Sequence, residues 1–133
     1  MTLRRLSVLQ WVGLLAGAAA WTGNHVAGVG ITQAHCNVAG RSFGISIPVW
    51  QGALMGATAV VIVAAGACAA VVFLHTRGKE FGTGPTPPDE KDDVKPGRLH
   101  FFAAAALITN LLLLMIVLLD GSANLANIAC RQS

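Results

Sequence analysis

Charge is what this sequence has least of. Of its 133 residues, 11% are Asp, Glu, Lys or Arg, against about 25% in an ordinary soluble domain. A chain so poor in charge cannot surround itself with water-facing side chains. Tyr is absent, and the aromatic residues are three Trp and five Phe, so Trp alone supplies the ring type that anchors at a membrane interface. The three cysteines and four histidines form no C-x-x-C, no C-x-x-C-H and no H-x-x-x-H, which excludes the familiar zinc, c-type haem and metalloprotease patterns. A copper centre that needs two closely spaced cysteines cannot be built from this chain alone. A Ser-His-acid triad needs its acid beside the histidine, and the acids lie in one loop or at Asp120. The net charge of +3 does not imply nucleic acid, because that requires a basic face on a folded domain.

What the sequence does have is long uncharged runs, with a mean hydropathy of +0.63. The clearest is Leu99–Leu119, which has no charge between Arg98 and Asp120. Roughly 20 apolar residues span a bilayer core of about 30 Å. A second run covers residues 48–74, with Pro48 suited to the first turn of a helix and Trp50 near one interface. A third covers about residues 6–32. Arg4, Arg5, the following apolar run and Ala18-Ala19-Ala20 also have the order of a signal peptide. The run stays uncharged from Thr22 to Ile31, however, and reads as one continuing helix. The expected fold class is therefore all-α: one polytopic membrane domain over residues 1–133, with three transmembrane helices in a small bundle.

The expected connections are an outer loop over 35–47, a cytoplasmic loop over 75–98 and an outer tail over 120–133. The centre of the long loop, Thr83 to Asp93, is rich in Pro, Gly and charge and cannot bury enough apolar surface to order itself. With the N-terminus inside, Arg4, Arg5, Arg77, Lys79, Lys91, Lys95 and Arg98 are cytoplasmic, and Arg41 and Arg131 are outside. That asymmetry follows the positive-inside rule and predicts an N-in, C-out chain.

Few residues offer chemistry. Cys36 and Cys130 fall on the same outer side by topology, in a compartment that permits a disulfide. Such a bridge would close a long loop, worth about 4–5 kcal/mol in the chain-entropy estimate; the alternatives are two unpaired thiols, or one ligand each to something in a partner. Cys68 sits mid-span as a small apolar residue. His75 and His100 flank the long loop and are the only histidine pair that could share a depth as haem ligands; the simpler reading is two rings pointing their tips to water. His25 and Asn110 are polar residues at membrane depth, where such groups face protein rather than lipid. Gly13/Gly17 and Gly52/Gly56 are G-x-x-x-G pairs whose spacing places small residues on one face for helix packing. The lipid-facing role is expected of Leu111 to Leu114 with Ile116, Val117 and Leu118.

Ala20-Trp21 in the first helix, Cys36 closing it, Gly97-Arg98-Leu99-His100-Phe101-Phe102 opening the third, and Cys130 near the C-terminus together resemble small three-helix bacterial membrane proteins encoded beside haem-copper cytochrome c oxidase genes. The chain lacks a Pro before Ala20-Trp21 and has Ala129 where that pattern has Pro. The resemblance implies an accessory subunit of a respiratory-chain oxidase or supercomplex in the bacterial inner membrane, not an enzyme in itself, with no cofactor of its own. Its partners would be larger membrane subunits and lipids, not nucleic acid. Two other readings remain: a small homo-oligomeric channel or transporter lined by Asn24, His25, Gln51, Thr58, Thr109 and Asn110, and a haem or thiol redox membrane protein.

Overall fold

The computed structural model describes residues 3–35, 47–77 and 94–126. They form three helices: α1 (Leu3–His35), α2 (Ile47–Thr76) and α3 (Val94–Ala126). No strand occurs among the described residues. Each helix contains a stretch long and apolar enough to cross a membrane: Arg4–Gln33, Pro48–Thr76 and Gly97–Ala123. The chain is thus an all-helical, multi-pass membrane protein. Helices suit this solvent because hydrocarbon offers no partner for a backbone N–H or C=O, so each must be satisfied within its own segment. The same economy governs the hydroxyls. Thr22, Thr32, Thr58 and Thr76 donate to the carbonyls of Ala18, Gly28, Leu54 and Val72, four residues back, at 2.8–2.9 Å.

The helices overrun the apolar runs that predict them. At 30 to 33 residues and 1.5 Å per residue they are about 45–50 Å long. α3 starts at Val94, within the expected loop, with Pro96 in its first turn where the missing N–H is harmless. It continues past Asp120 to Ala126, so the first residues of the expected tail extend α3. At that end the Ser122 hydroxyl donates to the Leu119 carbonyl at 2.8 Å. α2 closes with the Arg77 N–H donating to the Phe73 carbonyl at 3.0 Å.

The core follows one spacing in all three helices. The buried positions are 6, 10, 13 and 17 in α1, 58, 62, 65, 69, 72 and 76 in α2, and 99, 103, 106, 110 and 117 in α3. Steps of three and four residues are the signature of left-handed, coiled-coil-like packing. Most of these residues are small: Ala65, Ala69, Ala103 and Ala106 are almost fully enclosed, and Ile62, Val72 and Val117 are the largest side chains to be so. Val117 therefore faces the core, not lipid as expected from the sequence, because it lies seven residues beyond Asn110 on the buried seam. Ile108, Leu111, Leu112, Ile116, Leu118 and Leu119 point outward.

Two ends differ. At the arginine end, where α1 and α3 begin and α2 finishes, Leu6, Val72, Leu99 and Ala103 form a closed apolar cluster flanked by Leu9 and Phe73. At the opposite end α1 loosens: from Ala18 to Gln33 no residue is buried. We call this the open end.

Candidate functional site

Among the buried polar residues Gln10, Thr58, Thr76 and Asn110, it is Asn110, 4% exposed at the middle of α3, that joins two helices through its side-chain amide. Its Nδ2 donates to the Gly13 carbonyl of α1 at 2.6 Å and to the Ala106 carbonyl of its own helix at 2.8 Å. Its Oδ1 is buried with no hydrogen-bond partner and lies against Gly17, where a Cβ would collide with it. The amide is not reversed, because turning it would set Oδ1 against the Gly13 carbonyl oxygen, acceptor against acceptor. α2 joins the node through Gly66, whose Cβ position lies 3.8 Å from the Asn110 Cβ. On its other side Gly13 touches α2: a Cβ there would meet Ala65 O, Ala69 N and Ala69 Cβ, all at 3.1 Å. Glycine at 13 and 17 thus lets α1 lie close to both neighbours, and the asparagine fixes its height and rotation.

Gly52 and Gly56 do not do the same. A Cβ at either meets nothing within 4 Å among the described residues, which corrects their expected role in packing within this chain. The reason is register. Extending the buried seam of α2 back from Thr58 by steps of three and four gives Met55, Gln51 and Pro48, so Gly52 and Gly56 lie one residue, about 100°, off the seam. Met55 takes the contact instead: its side chain occupies the space that a Cβ at Gly121 of α3 would need. Gln51 Nε2 donates to Thr32 Oγ1 across to α1 at 3.3 Å.

The open end holds a cleft of about 260 Å³ between the three helices, lined by Asn24, His25, Thr32, Gln33, Gln51 and Asp120 among others. It gathers amide, hydroxyl and imidazole groups with one carboxylate, a set that hydrogen-bonds a polar group. His25 itself is exposed and stacks on Trp21, with ring centroids 5.7 Å apart at 23°. Of the expected pore-lining residues, Asn24, His25 and Gln51 meet here. Thr58 and Asn110 are buried in packing and Thr109 is exposed on α3, so the six do not form one polar file.

His75 and His100 sit at the arginine end. His75 is exposed. His100 packs over Phe73, with centroids 4.3 Å apart at 29°, and its Nδ1 lies 3.0 Å from Thr76 Oγ1. Whichever of the two donates, as the tautomer of the ring sets, the contact ties the imidazole to the α2–α3 seam. Among the described residues no group of three or more His, Cys, Asp or Glu gathers as a metal site. Cys68 is free and half-buried. Cys36 and Cys130, the expected disulfide pair, lie outside the described residues.

No family model, curated protein or solved structure matches the chain. Of the seam, Gly13, Gly17 and Asn110 were legible in the sequence and Thr58 was expected in a pore instead; the polar residues missed are Gln10 and Thr76. The signal was present as alternating steps of three and four between small or weakly polar residues.

Proposed function

We propose that this chain is an accessory, non-catalytic subunit of a larger membrane complex, docking through the open-end half of α1. One observation carries the reading. The first half of α1 buries Leu6, Gln10, Gly13 and Gly17 against its own chain, and the second half buries nothing from Ala18 to Gln33. That second half is not built for lipid. It holds the exposed His25, with Asn24 on the edge of the cleft, and a Cβ at Gly23 or Gly30, outside the cleft lining, meets nothing within 4 Å among the described residues. Bare glycine is where another helix backbone approaches closely, and polar side chains at membrane depth face protein. Gly52 and Gly56 add the same character on α2, between this chain and another.

The finer reading is a respiratory complex of the bacterial inner membrane, a haem-copper cytochrome c oxidase or its supercomplex, with the N-terminus in the cytoplasm. Support for it comes from the resemblance carried by Ala20-Trp21, Cys36, the Gly97–Phe102 run and Cys130, and from the seven basic residues on the N-terminal side. The test is to extract the tagged full chain in mild detergent. We expect haem a or haem b subunits to co-purify in fixed ratio. Gly23→Leu and Gly30→Leu should reduce that recovery while leaving the helicity and melting of the isolated chain unchanged. Recovery as a lone homo-oligomer of fixed size would overturn the reading.

A further inference from the structure

At the arginine end a second groove, of about 360 Å³, runs between α1 and α3. Its volume lies within the about 300–1,000 Å³ of small-molecule clefts. Its lining is ordered by depth. Among the lining residues Arg4 and Arg98 come first along their helices, Phe102 follows about 6 Å beyond Arg98, and Gln10 and Trp11 lie about 9–10 Å beyond Arg4. Arg4, Ser7 and Trp11 share a face of α1 at steps of three and four, as Arg98 and Phe102 do on α3. From Arg4 to Trp11 is about 10 Å along the helix axis, the distance from a headgroup to the upper acyl chain.

Two further observations define the occupant. The two arginines face one groove, and the only acid among the described residues, Asp120, lines the cleft at the far end. The N-termini of α1 and α3, the two helices that line the groove, open at this end with their partial positive charge, while the C-terminus of α2 lies outside the lining. Gln10 is 95% buried by its 5% exposure, lines the groove and has no hydrogen-bond partner among the described residues. A buried amide in a membrane protein needs such a partner.

We propose that this groove binds one anionic phospholipid. Arg4 and Arg98 hold the phosphate, the guanidinium fork matching its oxygens. Gln10, about 9 Å below Arg4, donates its amide N–H to a glycerol ester carbonyl. Trp11, half exposed, and Phe102 receive the upper part of an acyl chain. A free phosphate would satisfy the rim but would leave Gln10 and the aromatic walls uncovered, which is why the whole lipid is the better fit. The site belongs to the chain itself and does not depend on which complex it joins.

The test uses the full chain with Trp21→Phe and Trp50→Phe, so that Trp11 is the only fluorophore, in phosphatidylcholine nanodiscs. Phosphatidylglycerol with brominated acyl chains is added in steps, and brominated phosphatidylcholine serves as reference. We expect stronger quenching of Trp11 by the anionic lipid at equal mole fraction. Each arginine near an anionic headgroup is worth about fivefold in binding, so Arg4→Gln with Arg98→Gln should lower the apparent affinity by between about five- and 25-fold. Gln10→Leu changes no charge and should cost about tenfold through the lost hydrogen bond. Arg5→Gln, one residue away but outside the lining, should cost far less. Equal quenching by the two lipids would overturn the proposal. So would a loss at Arg5→Gln as large as that of the double variant, which would mean surface charge alone. Removal of the excess quenching by millimolar inorganic phosphate would reassign the rim to a soluble anion and also overturn it.

Discussion

Replacing Gly17 with Ala tests the central contact of the bundle. The added Cβ must occupy the space of the Asn110 amide oxygen, so the amide has to move. Overpacking of this kind costs about 1–3 kcal/mol. The displaced amide also gives up its bond to the Gly13 carbonyl, and interhelical hydrogen bonds in membranes are worth about 0.6 to 1.7 kcal/mol. Gly17→Ala should therefore destabilise the bundle by about 2–4 kcal/mol. Asn110→Ala alone loses the same bond but removes the unpaired Oδ1, whose burial costs about 1–3 kcal/mol, so its net effect is small. In the double variant the new methyl enters the space the amide has left, and the destabilisation should fall well below the sum of the singles, by about 1–3 kcal/mol. Reversible unfolding in mixed micelles, titrated with SDS and followed by circular dichroism and Trp fluorescence, measures all four corners of the cycle. Additivity within about 0.5 kcal/mol, or a neutral Gly17→Ala, would refute the contact between α1 and Asn110.

Two further outcomes are expected in the same assay. Gly13→Val should destabilise by more than about 2 kcal/mol, since Ala65 O and Ala69 N are backbone atoms that cannot step aside; a stable Gly13→Val chain would show that α1 and α2 are not so close. Thr76→Val should cost about 0.5–1.5 kcal/mol and shift the His100 ring resonances, because it deletes the hydroxyl at Nδ1; unchanged resonances would remove the imidazole from the seam.

Hydropathy made the three helices legible, because a charge-free run of this length has few other fates. It could not reveal their inward faces. In a soluble helix the polar side marks the outside, but in lipid both sides are apolar and the contrast vanishes. Val117 and Ile116 are neighbours of similar chemistry, yet one is enclosed and the other exposed. Gly13/Gly17 and Gly52/Gly56 have identical spacing and opposite surroundings; what separates them is phase relative to the seam, which only the packing of all three helices sets. Asn110 was legible as a residue in need of a partner, but its carbonyl acceptor on Gly13, 97 residues away, was not. The helix ends were blurred for another reason: Val94 to Gly97 and Asp120 to Ala126 read as breaks by composition, while cooperative continuation of a helix already formed overrides weak local preference.

The loosening of α1 beyond Gly17 makes the remainder of that helix a lever. From Gly17 to Gln33 it reaches about 24 Å with its fulcrum at the Asn110 node. A tilt of about 5° there would carry the tip by roughly 2 Å against the long Gln51–Thr32 hydrogen bond, without disturbing any enclosed side chain below the fulcrum. That arm can thus swing while the apolar cluster at the arginine end keeps its packing.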